Sequence, residues 1–126
     1  MRILLLRYLA VGVAGFVGAV ARVAVSTFFG RFNFRFPIGT LVINVAGSLF
    51  LGWFLTHVSS RNVSDTMRLA IGAGFVGAFT TFSTFMYESS RLADDGAGFA
   101  AIMNLLGSLM LGILAVRMGM LLARWV

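Results

Sequence analysis

Residues Thr80 to Thr84 place four hydroxyls and one phenyl ring in five consecutive positions, inside a stretch otherwise rich in Gly, Ala, Val and Phe. In apolar surroundings each hydroxyl needs a partner, because burying an unbonded polar group costs free energy. Some can bond back to carbonyls of their own helix. The rest can serve a neighbouring helix, water or a solute. Phe82 and Phe85 stand three residues apart, so their rings fall near one helix face. Two further stripes follow i, i+4 spacing: Thr40, Asn44, Ser48 and Gly52, and then Asn104, Ser108 and Gly112. Small and polar residues at this spacing also glue helices together. For Ser48, Gly52, Asn104, Ser108 and Gly112 that packing role is the first reading, ahead of transport. Asn44 stands out, because a carboxamide NH2 is a good donor to an anion.

The inventory is therefore neutral donors and phenyl rings with little charge. A small, strongly hydrated anion must exchange its water for comparable donors. Ser, Thr and Asn supply them, and the edges of phenyl rings carry partial positive charge. A bulky organic cation would instead want a buried carboxylate. Glu88 and Arg22 are the notable ionisable residues within apolar stretches, and both lie within about two turns of a predicted helix end, close enough to snorkel. No set of side chains forms a nucleophile with its base or a metal cluster, so an enzyme is not expected. His57 is the only histidine and reads as an interface residue. With no cysteine, disulfides and thiolate metal sites are excluded.

These residues must be positioned by membrane-spanning helices. The 126-residue chain is 60% hydrophobic and only 11% charged, which leaves too little polar surface for a soluble domain. Four apolar blocks, about Ile3 to Phe29, Pro37 to Val58, Met67 to Arg91 and Ala97 to Leu122, each reach the roughly 20 residues that cross a bilayer. The first is read as a retained helix rather than a cleaved signal, because no convincing cleavage site follows it. Short polar connections separate the blocks, including the acidic turn Asp94-Asp95-Gly96, and Pro37 stands where a helix can start. The net charge of +6 comes with ten arginines. They lie mostly between the blocks, which points to lipid phosphates rather than nucleic acid. Arg2, Arg7, Arg61, Arg68, Arg117 and Arg124 share one side, and Arg22, Arg31, Arg35 and Arg91 the other. That is a weak orientation bias, which fits a chain inserted both ways and equally one with a mild preference.

The chain also repeats. Ala14-Gly15-Phe16-Val17-Gly18-Ala19 recurs as Ala73-Gly74-Phe75-Val76-Gly77-Ala78, and the Asn44-x-x-Gly47-Ser48-Leu49 pattern recurs from Asn104. We read one four-helix transmembrane domain, residues 1–126, built from a two-helix unit duplicated over about 1–60 and 61–126. Such units repeat in parallel, so the inverted symmetry of many transporters is absent within the chain, and an antiparallel dimer would supply it. The copies diverge after their shared glycines. The segment Gly77 to Thr81, flexible at its start and β-branched at its end, is a candidate for a break in the third helix. An intact helix with its hydroxyls turned to a neighbour satisfies the sequence equally well.

The run from Gly74 to Phe85 resembles the third-helix signature of the Fluc/CrcB fluoride channels. Gly39-Thr40-Leu41-x-x-Asn44-x-x-Gly47 resembles that family's second-helix motif, and Gly15-x-x-Gly18-Ala19-x-x-Arg22 its first. The resemblance implies an all-α, multi-pass protein of the inner (plasma) membrane. It would have a broken third helix and work as a dual-topology antiparallel homodimer. The implied activity is passive, fluoride-selective export that relieves fluoride toxicity. It further implies a pathway lined by Asn44, Phe82, Ser83, Thr84, Phe85 and Ser108, with Glu88 bordering its mouth and Arg22 structural. Backbone carbonyls of Gly77 and Thr80 from both subunits would hold a structural sodium ion on the dimer axis. The fourth helix departs from the fuller hydroxyl ladder of some members, with Asn104 and Gly112 at stripe positions where Tyr or Ser would be looked for.

A small multidrug-type, proton-coupled cation exporter shares the size and helix count. It needs a membrane-embedded carboxylate, yet the first block holds no acid and Glu88 comes late in the third. A membrane subunit that carries nothing would show no conductance on its own.

Overall fold

A computed structural model describes residues 1–125 as an all-helical chain. Four helical spans are long and apolar enough to cross a membrane: Arg2–Gly30, Ile38–Ser59, Asp65–Asp94 and Gly98–Leu122. Their bounds fall within three residues of the four apolar blocks. The first span is a single helix, α1 (Arg2–Gly30), and the second is α2 (Ile38–Ser59). The third is composite. It comprises α3 (Asp65–Leu69), a π-helical segment (Ala70–Val76), α4 (Gly77–Phe79) and, after an interruption, α5 (Phe82–Asp94). The fourth span is α6 (Gly98–Leu122).

Local sequence explains the span ends. Pro37 directly precedes α2, where its missing N–H costs nothing. Ser64 caps α3, its hydroxyl accepting from the Met67 N–H at 3.3 Å. Asp65 in the first turn suits the positive end of that helix. Arg7 on α1 reaches Asp65 at 3.2 Å and ties the first span to the third. At the other end, Gly96 has φ +77. The Ala97 N–H bonds the Leu92 carbonyl at 2.8 Å and the Gly96 N–H bonds the Ala93 carbonyl at 3.1 Å. This pair of bonds is the Schellman ending that a left-handed glycine permits.

Packing follows the small residues. The two copies of the Ala-Gly-Phe-Val-Gly-Ala run lie against each other, α1 on the first half of the third span. A methyl added at Gly18 would overlap the Phe75 carbonyl, and one at Gly74 would meet Val11 and Ala14. α2 lies against α6 in the same manner, where Gly52 meets Val116 and Gly119 meets the backbone of Leu49 and Trp53. Without a hydrophobic driving force between helices in lipid, such backbone-to-backbone approach supplies the association through dispersion. Ile43 and Asn104 are the largest side chains fully enclosed among the described residues. Leu, Val, Ile and Phe on the outer faces of α1 and α6 are largely exposed, as lipid-facing side chains should be.

Candidate functional site

The third span is interrupted at its midpoint. Thr80 (φ −78, ψ 158) and Thr81 (φ −147, ψ 118) are extended, between helical residues on both sides. The interruption therefore falls at the end of the segment Gly77 to Thr81. Gly77 itself stays helical at φ −61, ψ −35. Two diverted bonds account for this. The Thr81 N–H donates to Asn44 Oδ1 at 2.8 Å instead of to the Gly77 carbonyl. The Thr84 N–H donates to Thr81 Oγ1 at 3.3 Å instead of to the Thr80 carbonyl. Asn44 closes the arrangement by donating from Nδ2 to the Thr81 carbonyl at 3.0 Å. Gly47, one turn on, leaves room for the Thr80 methyl, which any side chain there would displace.

The break has two chemically opposite ends. α4 stops with the Gly77 and Thr80 carbonyls deprived of their helical donors, which makes a region of partial negative charge. α5 begins with the Phe82 and Ser83 amides and the positive end of a 13-residue helix. Half-helix ends of this kind, in mid-membrane, are where anions and cations are held in membrane proteins. Beside them lies a pocket of about 230 Å³ lined by Asn44, Gly47, Ser48, Leu51, Val76, Thr80, Thr81 and Phe82.

The residues expected from sequence separate into groups. Phe82 and Phe85 make an edge-to-face pair with ring centroids 6.1 Å apart. Phe82 is 73% exposed, and Ser83 and Thr84 beside it are exposed too. Asn44 belongs to the break, and one N–H of its amide is already committed there. Ser48 is likewise committed, its hydroxyl donating to the Asn44 carbonyl at 2.7 Å. Ser108 stands apart on α6, donating to Asn104 Oδ1 at 3.4 Å. Asn104, 1% exposed, donates in turn to Ser89 Oγ at 2.9 Å, and Ser89 donates to the Phe85 carbonyl at 2.7 Å. A hydrogen-bonded chain, buried at its centre, thus runs from Ser108 to the backbone of Phe85.

Glu88 lies two turns from the break in a second pocket of about 250 Å³, with Ser26, Asn33 and Thr40 among its walls. Its Oε2 is buried without a hydrogen-bond partner among the described residues. Thr40, Asn44 and Ser48 on α2 link the two pockets along one helix face, about 12 Å by helix rise. Arg22 on α1 is half-buried and forms no ion pair among the described residues.

Two residues gained importance that their spacing alone did not give them. Thr81 was one hydroxyl among four, and here it is the pivot of the break. Ser89 had no reading. The signal was present in the series Thr81, Phe85, Ser89, which repeats every four residues on one face of α5.

A multi-pass helical membrane protein with a span broken at mid-depth, and polar side chains gathered at the break, has the architecture of an ion-conducting protein. Comparison with known proteins narrows this class. The family model described as CrcB-like protein, Camphor Resistance (CrcB), matches residues 9–120. The chain is 45% identical over 117 residues to the fluoride-specific ion channel FluC of Chlorobium phaeobacteroides strain BS1, covering 92% of this chain and 91% of that one. It is 45% identical over 117 residues to the protein of that name from Acidobacterium capsulatum, covering 91% and 94%. It is 41% identical over 114 residues to the one from Campylobacter lari, covering 90% and 93%. The chain belongs to the CrcB family.

Proposed function

We propose that this protein is a fluoride-selective ion channel of the inner (plasma) membrane, and not an enzyme. It lets fluoride leave the cytoplasm passively and so relieves fluoride toxicity. The observation that carries this reading is the helix break at Thr80 and Thr81. It sets the positive end of α5, with Phe82, Ser83 and Thr84, at the middle of the span. A fluoride ion sheds water only where N–H and O–H donors replace it. On this reading Asn44, Phe82, Ser83, Thr84, Phe85 and Ser108 line the pathway. Glu88 borders its mouth, where Thr40 leads toward Asn44, and Arg22 supports the frame.

The functional unit is an antiparallel, dual-topology homodimer. In a lone chain Phe82, Ser83 and Thr84 would meet lipid at mid-depth, where hydroxyls and unbonded amides are costly. A second copy shields them and completes the walls. The same break suits a structural sodium ion. Hard cations take oxygen ligands, and Gly77 and Thr80 carry the two carbonyls whose helical donors have been diverted. Two chains would present these carbonyls together on the dimer axis, and the ion would offset their partial negative charge and hold the subunits in register.

A bacterium deleted for its own fluoride exporter provides the test. Expression of this chain should restore growth in millimolar fluoride. Unchanged sensitivity with the protein present in the membrane would reject the reading.

A further inference from the structure

Every polar group of Thr81 is committed. Its N–H and carbonyl are held by Asn44 at 2.8 and 3.0 Å. Its Oγ1 accepts from the Thr84 N–H at 3.3 Å. Its hydroxyl proton is directed at Thr84 Oγ1, 3.0 Å away. Thr81 is 7% exposed, so its hydroxyl is enclosed by the protein.

Three nearby hydroxyl protons are committed as well. Ser48 donates to the Asn44 carbonyl at 2.7 Å, Thr80 to the Val76 carbonyl at 2.9 Å, and Ser89 to the Phe85 carbonyl at 2.7 Å. Thr84 differs. Its oxygen receives the Thr81 proton, so its own proton is turned away from Thr81. Thr84 is exposed on the first turn of α5, beside Phe82 and Ser83. The reverse arrangement would have Thr84 donating to Thr81. It would load a second donor onto an oxygen that already accepts the Thr84 N–H, and it would leave the Thr81 proton buried without an acceptor, a cost of about 1–3 kcal/mol. A hydroxyl that accepts one bond is polarised and donates its own proton more strongly.

We propose that Thr81 is a positioning residue for anion recognition. It aims the Thr84 hydroxyl proton at the pathway and strengthens it as a donor to a small anion. This rests on the reading of Thr84 as a pathway residue in a fluoride channel. Thr81 itself never touches the ion.

The test is fluoride efflux from liposomes reconstituted with wild-type protein, Thr81→Val, Thr81→Ser, Thr84→Ala and the double variant Thr81→Val/Thr84→Ala. Loss of one hydrogen bond to a charged species corresponds to about a tenfold lower flux. Thr81→Val should show that loss, and Thr81→Ser, which keeps the hydroxyl, should recover most of the wild-type rate. The double variant should be slower than Thr84→Ala alone by no more than the cost of losing the Thr81 Oγ1 acceptor for the Thr84 N–H, so the two single losses should fall short of multiplying. Wild-type flux in Thr81→Val would overturn the proposal, and so would losses that multiply in the double variant. Absence of flux from the wild-type chain would instead remove the channel reading beneath it. If Thr81→Val does not fold, Thr81→Cys enters the same cycle. Its weaker S–H donor predicts an intermediate rate with the same non-additivity, and multiplying losses there would equally overturn the proposal.

Discussion

The side chain of Asn44 pairs with the backbone of Thr81 as a strand partner would. Oδ1 accepts from the Thr81 N–H and Nδ2 donates to the Thr81 carbonyl, at 2.8 and 3.0 Å. Thr81 sits at φ −147, ψ 118, an extended conformation that needs such a partner inside a membrane. One residue on α2 therefore holds the third span open.

Replacing Asn44 by Leu leaves both Thr81 groups unpaired. The expected cost is about 2–6 kcal/mol, from two orphaned buried polar groups at about 1–3 each. Thermal unfolding of the purified protein in detergent should show a clear fall in midpoint. Asn44→Asp keeps the acceptor but sets a carboxylate against the Thr81 carbonyl, so it should also destabilise. A midpoint equal to wild type for both variants would mean the break is held by other contacts.

The glycines offer a contrast between neighbouring positions on α1. A methyl at Gly18 would overlap the Phe75 carbonyl, whereas one at Gly12 meets nothing within 4 Å. Gly18→Ala should cost about 1–3 kcal/mol through overpacking and lower the yield of monodisperse protein. Gly12→Ala should leave that yield unchanged. Size-exclusion profiles of the two variants decide the matter.

Ser89 and Asn104 should be energetically coupled. In Ser89→Ala the Asn104 amide loses its acceptor at a site 1% exposed. Polar bonds between membrane helices are worth about 0.6 kcal/mol on average and up to about 1.7. A double-mutant cycle on unfolding, with Ser89→Ala and Asn104→Leu, should return a coupling energy in that range. A value of zero would place the contact outside the folding energetics.

Sodium supplies a further check. If the Gly77 and Thr80 carbonyls hold the ion, fluoride flux should fall at least about tenfold when sodium is replaced throughout by a bulky organic cation, since each 1.4 kcal/mol of lost stabilisation is one decade. Flux should return when sodium is restored. The native mass, by detergent-corrected light scattering, should be twice the 13.6 kDa of one chain with sodium present. Full flux in sodium-free solution would remove the ion from the account.

Much of this was legible in the sequence. Hydropathy placed the four spans because lipid demands about 20 apolar residues per crossing, and the third-helix run carried the family. The break was legible only as a choice, because Thr80 and Thr81 are compatible with an intact helix. What decides it is Asn44, which lies 37 residues away on another span and whose pairing no local pattern encodes. The π-helical turn at Ala70–Val76 was not legible either, since nothing in Ala-Ile-Gly-Ala-Gly-Phe-Val distinguishes it from an α-helix. Asn104 reads in sequence as a stripe member that packs a neighbouring helix or meets solute, and burial turns it inward to Ser89. The direction in which a polar stripe faces is a property of the packed bundle.

The most direct measurement is fluoride efflux from liposomes containing the purified protein, followed with an ion-selective electrode alongside a chloride-loaded control. The account predicts rapid passive fluoride efflux with no chloride efflux, and a sharp reduction in Phe82→Ile and Phe85→Ile. Absence of fluoride efflux from folded protein in sodium-containing buffer would contradict it, as would equal efflux of chloride.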